Sequence, residues 1–473
     1  MTKYYESSLE PDEFVCGASK DNIKNWEWIN SRYQPLTTKK NSEEVATKYI
    51  DDSSLLKSRV SKEIYNLCTQ KVSECTKCPL KFTCKSYVPQ IINKKSLTFA
   101  DFFCGAGGLS IGFERAGLVP KVANDIDPWF VETYAFNRPK EDIEYFTGSI
   151  DDWIEKHKND KKWDIDVVSG GVPCQSFSMA NRQPTENDPR DHLYLSLIKA
   201  ADIIKPKVLV IENVGGILKK FDVIISDLKK HNFDAVHILL NASDYGVPQN
   251  RKRVFFIALN NKLVKDTKNK LANINTHLAK YKSSTITSLK EAIKDLPSLQ
   301  AHDKRNDTGF NNEKSGYSFT KHNLNKASEY VKKINRCTSG SFPLFNHKAR
   351  FNNERDISIF SLLKEGENST SERIQHLNPY KSRNDIFKDK YHKLKNGEVC
   401  KTITAHMRYD CNMYIHPTQP RGLTAREAAR VQGFPDDYVF LGNFQRTYQQ
   451  VGNAVPPLLA EYISLAIKKV LCH

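Results

Sequence analysis

The sequence predicts an α/β protein built on a doubly wound, mostly parallel sheet, and three observations lead there. Short apolar runs recur at Leu97–Phe103, Lys121–Asn124, Trp163–Ser169, Lys207–Glu212 and Arg253–Leu259, each separated from the next by helix-like or loop segments, as parallel strands require. Glycine-rich turns stop two of these runs abruptly: Cys104-Gly105-Ala106-Gly107-Gly108 after the first and Gly170-Gly171-Val172-Pro173 after the third. Such turns fall at the carboxyl ends of strands, where open α/β sheets bind their ligands.

Taken in chain order, residues 1–95 are polar and charged, without clear period-2 strands, and short helices such as Ser61–Leu67 fit there. The texture changes at Ser96. After the first strand and its glycine turn, Leu109, Ile111, Gly112, Phe113 and Ala116 keep a helical spacing that ends at Gly117. The alternation of elements continues to about residue 262. Beyond about Asn260 the rhythm dissolves into a Lys/Asn/Ser-rich segment, 263–400, expected to be loop-heavy. Ordered pattern returns in 401–473, with one helix over Thr424–Gln432 and a last one from Pro457 to about Val470. There is no internal repeat.

Lys and Arg number 71 against 55 Asp and Glu in 473 residues, a formal charge of +16. An excess this large in a globular composition favours a polyanionic partner. No run approaches the ~18 apolar residues of a membrane span, and Met1-Thr2-Lys3-Tyr4-Tyr5-Glu6 lacks the apolar core of a secretion signal. Eleven cysteines, an odd number, with four crowded between Cys68 and Cys84, argue for reduced thiols and a metal site over a disulfide framework. A cytoplasmic, nucleoid-associated protein without a membrane partner is expected.

Among the turns, Pro173-Cys174-Gln175 stands out. It places a thiol at the end of a buried strand among small and polar neighbours, where a substrate can reach it. The glycines after Phe103 let the backbone bend and approach a nucleotide-like ligand, and the following helix offers free amides. About twenty residues on, Asn124-Asp125-Ile126-Asp127 supplies a carboxylate that suits a ribose diol or, equally, an ordinary helix cap. Gly148-Ser149-Ile150 ends a third segment and can edge an adenine pocket. Glu212-Asn213-Val214 closes the run Val208–Ile211; an acid there is partly desolvated, which raises its pKa and suits proton transfer. In Gln249-Asn250-Arg251-Lys252-Arg253 the alternation points Arg251 and Arg253 to one side, as a fork for a phosphate or base carbonyl.

With these residues in place, the chain resembles a DNA (cytosine-5) methyltransferase. Asp101-Phe102-Phe103-Cys104-Gly105-Ala106-Gly107-Gly108, Pro173-Cys174-Gln175, Glu212-Asn213-Val214, Gln249-x-Arg251-x-Arg253, Arg421-Gly422-Leu423-Thr424-Ala425-Arg426-Glu427 through Gln432-Gly433-Phe434-Pro435, and Gln450-Val451-Gly452-Asn453-Ala454-Val455 follow the family's order. The match covers about 97–260 and 400–473. It implies a Rossmann-like S-adenosylmethionine-dependent methyltransferase sheet, with 96–262 the catalytic and cofactor-binding domain, 263–400 the target-recognition domain, and 401–473 a return to the catalytic domain. The cofactor set it implies is Phe103 (stacked on adenine), Gly105, Ala106, Gly107, Gly108, Leu109, Asp125 (on the ribose), Ile126, Ser149, Ile150, Pro173, Leu193, Asn453 (at the methionine end) and Ala454. Ser149 stands where the family often has Asp.

The implied chemistry uses Cys174, Glu212, Arg251 and Arg253. Carbon 5 of cytosine is a poor nucleophile, so the Cys174 thiolate adds to ring carbon 6. Glu212 acts at N3 and the exocyclic amine, Arg253 holds O2, and Arg251 supports it. Methyl transfer, loss of the carbon 5 proton and elimination of the thiolate complete the reaction. The base must leave the duplex first, and Ser176–Arg190 reads as the lid that closes on it. The implied partners are double-stranded DNA and a cognate restriction endonuclease at the same site, with the enzyme a monomer. Methylation of transfer RNA, and a non-catalytic DNA-binding relative, are the rival readings.

Cys68, Cys75, Cys78 and Cys84 are spaced Cys-x6-Cys-x2-Cys-x5-Cys, which resembles the iron–sulfur loop of endonuclease III-type DNA glycosylases. Four thiolates so close together can hold a [4Fe–4S] cluster or, alternatively, Zn²⁺. This loop lies outside the usual methyltransferase pattern.

Overall fold

The computed structural model describes residues 96–473, apart from 139–142, 161–162, 174–191, 306–311, 337–338, 384–388 and 473. The N-terminal extension with its four cysteines, and the segment from Cys174 through Arg190, lie outside the described residues. Eight strands come first: β1 (Thr98–Phe102), β2 (Val119–Asp125), β3 (Glu144–Thr147), β4 (Val167–Gly171), β5 (Val208–Asn213), β6 (Phe233–Asn241), β7 (Gln249–Asn250) and β8 (Lys252–Asn260). All but β7 form a seven-stranded sheet in the order β3-β2-β1-β4-β5-β8-β6. Its pairings are parallel except those of β8, which runs antiparallel to both β5 and β6.

The strand side chains alternate between two buried layers. Val208 and Val210, with Phe255 and Ile257, face α1 (Gly108–Arg115), α6 (Thr267–Ala279) and α12 (Pro457–Cys472). Leu209 and Ile211, with Val254 and Phe256, face α3 (Ile150–His157), α4 (Leu193–Ile204) and α5 (Phe221–Lys230). Both faces are therefore covered, which is why these strands read as nearly continuous apolar runs. The remaining core helix, α2 (Pro128–Phe136), follows β2 and is capped by Asp127, whose carboxylate accepts from the Trp129 amide. The sheet is doubly wound and mostly parallel, as the alternation of elements predicts.

Two local expectations need correction. The run Trp163–Ser169 supplies only the first part of the fourth strand, which begins at Val167 and continues through Gly171. Trp163 instead packs on Trp153, with ring centroids 5.4 Å apart. The two glycines lie inside the strand, because a Cβ on Gly170 would come 2.8 Å from Leu197 on the helix above it.

The segment expected to be loop-heavy also carries order. It holds α7 (Leu289–Ile293), the antiparallel pair β9 (Gly316–Asn323) and β10 (Ser341–Lys348), α8 (Glu329–Asn335) and α9 (Glu354–Leu362). Leu289, Ile293, Leu324, Val331 and Leu344 build a core shared with α10 (Ala425–Gln432) and α11 (Phe444–Asn453). The periods are present but short: Leu289, Ala292, Ile293 and Leu296 keep a helical spacing behind the Ser288–Glu291 capping box, and the Lys/Asn-rich stretches around such pieces mask them. β11 (Cys400–Lys401) pairs in parallel with β7, a two-stranded ladder outside the seven-stranded sheet. Among the described residues, no helix is long and apolar enough to cross a membrane.

Candidate active site

The strand order reverses between β1 and β4, so the crevice at their carboxyl ends is where this topology binds ligands. Phe103, at φ 54°, and Gly105, at φ 52°, turn the chain sharply out of β1. The Gly105 amide donates to one Asp125 carboxylate oxygen at 2.9 Å, and the Asp127 amide donates to the other at 2.9 Å. Asp125 thus ties the glycine turn to the end of β2. Burial pushes its pKa up to about 6 against the pull of these two amides. Phe103 is partly buried in the same apolar layer as Phe146 and Leu193, and Ile126 stands 71% exposed beside Asp125. A Cβ at Gly105 would meet nothing within 4 Å. A partly buried aromatic ring, a carboxylate at the adjoining strand end and open space at the turn fit an adenosine-bearing cofactor.

Other predicted cofactor residues are placed differently. Ser149 caps α3 in a reciprocal pair with Asp152, its hydroxyl accepting that amide at 3.0 Å. Ile150, Ala106, Leu109 and Ala454 have buried side chains in the apolar cores. Gly108 lies against the last motif, where a Cβ would be 2.4 Å from the Val455 carbonyl. Asn453, exposed at the end of α11, is free to face a ligand.

Sequence reasoning missed the residues that hold the turn. Tyr438 donates its hydroxyl to the Ala106 carbonyl at 2.5 Å, and Arg138 donates to Gly107 at 3.2 Å and to the Tyr438 hydroxyl at 2.9 Å. Arg138 is also paired with Glu114 at 2.9 Å. The two Tyr438 contacts join positions 332 and 300 residues apart in sequence, a separation no local pattern reports.

The second half of the site comes from β4, β5 and β8. β4 delivers an exposed Pro173 to the crevice; Cys174, the next residue, lies outside the described residues. Gly171 lies opposite Glu212 in the β4–β5 register, and a Cβ there would be 3.2 Å from the Glu212 carboxylate. Because β8 is antiparallel, its first residues start where β5 ends. Arg253 therefore meets Glu212, Nε to Oε1 at 2.9 Å. Burial raises the Glu212 pKa, while Arg253 and Arg251 pull it down. Asn213 donates to the Val172 carbonyl at 3.1 Å and fixes the loop that leads to Cys174.

Arg251 does not form a fork with Arg253. Its guanidinium is fully buried and donates to the carbonyls of Ile403, at 2.6 Å, and Gly452, at 3.2 Å. It is a strut between the start of β8 and the two segments that return late in the chain. Three more arginines are buried struts: Arg421 pairs bidentately with Glu427 at 2.7 Å, Arg426 donates to three backbone carbonyls, and Arg430 grips Asp436 and Asp295. The helix α10 is therefore a clamp between the core and the 289–348 segment. No group of three metal-ligating side chains occurs among the described residues.

The family model for C-5 cytosine-specific DNA methylases matches residues 97–469. The chain is 33% identical over 391 residues to the type II methyltransferase M.DdeI of Desulfomicrobium norvegicum, covering 78% of this chain and 88% of that protein. It is 32% identical over 401 residues to the type II methyltransferase M1.HphI of Haemophilus parahaemolyticus, covering 83% and 91%. A solved Escherichia coli structure, described as a DNA modification methyltransferase encoded within a prophage, superposes with a TM-score of 0.59 at 24% identity, over 80% of this chain and 100% of that one, and supports the fold. The match along nearly the whole described chain means that it belongs to the C-5 cytosine-specific DNA methylase family and is a DNA (cytosine-5) methyltransferase.

Proposed function

We propose that this enzyme is the modification half of a type II restriction–modification pair, methylating one cytosine within a specific duplex sequence through a covalent adduct on Cys174. The observation that carries the assignment of roles is the Glu212–Arg253 pair at the mouth of the β4 turn. S-adenosylmethionine, when bound, supplies an electrophilic methyl group, and Phe103, Asp125, Asn453 and the Gly105–Gly107 turn would hold it. Cys174 adds through its thiolate to ring carbon 6 of the extruded base and makes carbon 5 nucleophilic. Glu212, buried enough to keep its proton to higher pH than an exposed acid, donates at N3. Arg253 keeps Glu212 oriented and offers its remaining N–H groups to the ring's O2. Arg251 acts behind them, locking the strand start to Ile403 and Gly452. Bisulfite sequencing of DNA from cells expressing the protein tests the reading: one sequence context should be fully converted to methylcytosine. Methyl incorporation into transfer RNA but not duplex DNA would overturn it.

Asp125 sets a pH dependence for cofactor binding. Its carboxylate can accept both amides and a ribose hydroxyl only when ionised. S-adenosylmethionine affinity should therefore be full above its raised pKa and fall as pH drops through about 6. Calorimetric titration from pH 5 to pH 8 checks this, and Asp125→Asn should flatten the profile.

The segment 263–400 is proposed to choose the target. α6 packs against the sheet, so the part available for reading DNA begins after it. Exchanging that part with the equivalent of a relative should move the methylated site and keep the reaction; an active hybrid with the original target would place recognition elsewhere.

Cys68, Cys75, Cys78 and Cys84 are proposed to hold one [4Fe–4S] cluster, with Zn²⁺ as the alternative. A structural role suits it, because methyl transfer moves no net electrons. Protein purified without oxygen should be brown, absorb near ~400 nm and carry about four irons per chain. Colourless protein with one zinc would favour the alternative.

A further inference from the structure

The turn after β11 has three features that neither the fold nor the catalytic roles use. It starts at the catalytic edge: Arg251 donates to the Ile403 carbonyl, and the Thr404–Ala405 backbone lies so close to Gly452 that a Cβ there would be 2.3 Å from the Ala405 nitrogen. It is rigidly seated. Met407 is fully buried in the core shared with α10 and α11, and Arg350, just beyond β10, donates to the carbonyls of Met407 at 3.0 Å and Tyr409 at 3.1 Å. Finally, this seated turn presents a polar–aromatic cluster outward. Tyr409 is 58% exposed, His406 packs edge-on to it at 5.4 Å, and the Arg408 guanidinium lies over its ring at 4.5 Å while donating to its hydroxyl.

A large exposed ring costs solvation unless something covers it, and here its backbone is held by the element next to the recognition pair β9–β10. We infer that the Ala405–Tyr409 turn is a DNA-contacting finger, in which Tyr409 stacks on a base exposed where the target cytosine leaves the helix and Arg408 and His406 face the adjoining phosphates. Every base has a π-face, so a tyrosine ring grips an unstacked base without regard to its identity. The Arg408 guanidinium against it suits a polyanion. The inference extends DNA binding from 263–400 into the 401–473 segment, and it rests on the reading that the substrate is duplex DNA.

The test uses the full-length enzyme and unmethylated plasmid DNA, with the methylated site first mapped by bisulfite sequencing. Tyr409→Ala should raise the DNA KM about tenfold, and Tyr409→Phe should restore it. A 2-aminopurine placed at the target position should show a smaller rise in emission on binding Tyr409→Ala than on binding wild type. Arg408→Ala should reduce the slope of log affinity against log salt by about one. Cofactor affinity and thermal midpoint should stay at wild-type values in all three variants, since none of these side chains is buried. A Tyr409→Ala enzyme with wild-type DNA KM and 2-aminopurine response would overturn the inference alone. Wild-type protein that methylates no duplex DNA would overturn the substrate reading along with it.

Discussion

Cys174→Ser is expected to abolish turnover while leaving S-adenosylmethionine binding near its wild-type value. A serine hydroxyl at neutral pH is too weakly ionised to add to ring carbon 6, and without that addition carbon 5 stays unreactive. The rate should fall by several orders of magnitude, to the limit of detection, because the variant lacks a step and not merely a contact. Cofactor binding is spared because the residues proposed to hold it lie after β1, at the end of β2 and at the end of α11, whereas Cys174 follows β4. A duplex carrying 5-fluorocytosine at the mapped site should trap the wild type in a denaturation-resistant complex and fail to trap the variant. Glu212→Gln should lie between: it keeps the shape but removes the titratable carboxyl, so no proton can pass from it to N3. Normal methylation by Cys174→Ser would remove the thiol from the mechanism.

Arg430→Ala should cost the largest amount of stability of any single change outside the catalytic strands. Arg430 is fully buried, and its guanidinium binds both Asp436 oxygens at 2.8 Å, Asp295 at 2.7 Å and the Ala292 carbonyl at 3.0 Å. Burial pushes both acids up, but Arg430 overcomes it for Asp436, and His322 with Arg430 holds Asp295 down at about 2. Removing the guanidinium strands two buried carboxylates, which typically costs about 3–5 kcal/mol. The sign of the pH dependence follows from the two depressed pKa values. In wild type their stabilisation is present above the ordinary carboxylate range and lost as pH falls through the folded values. In the variant the penalty should therefore be greatest near pH 7 and shrink toward pH 4, where the acids can protonate. Urea unfolding midpoints at the two pH values measure this; an equal loss at both would mean that lost packing dominates. Adding Asp295→Asn and Asp436→Asn to the variant should recover part of the stability.

The sequence alone determined the kind of sheet, because both of its faces are buried and its core strands are accordingly short unbroken apolar runs. It also determined where the chain turns sharply, since positive φ at Gly105 and Gly107 is a demand that glycine answers locally. The cap at Thr424 and the stop at Gly433 are likewise local chemistry, and the helix between them lies where its pattern says. Tertiary structure decided what no window of neighbours can carry. The direction of a strand is set by its partners, so only the sheet shows that β8 runs backwards and brings Arg253 to Glu212. Arg251 shares the alternation of Arg253 but turns to Ile403 and Gly452, whose carbonyls are supplied by chain far downstream. Arg421, Arg426 and Arg430 carry the composition of a solvated face, yet they are buried. A buried charge is stable only where opposite charges and carbonyls converge on it from several segments, and that convergence exists only after the chain has folded.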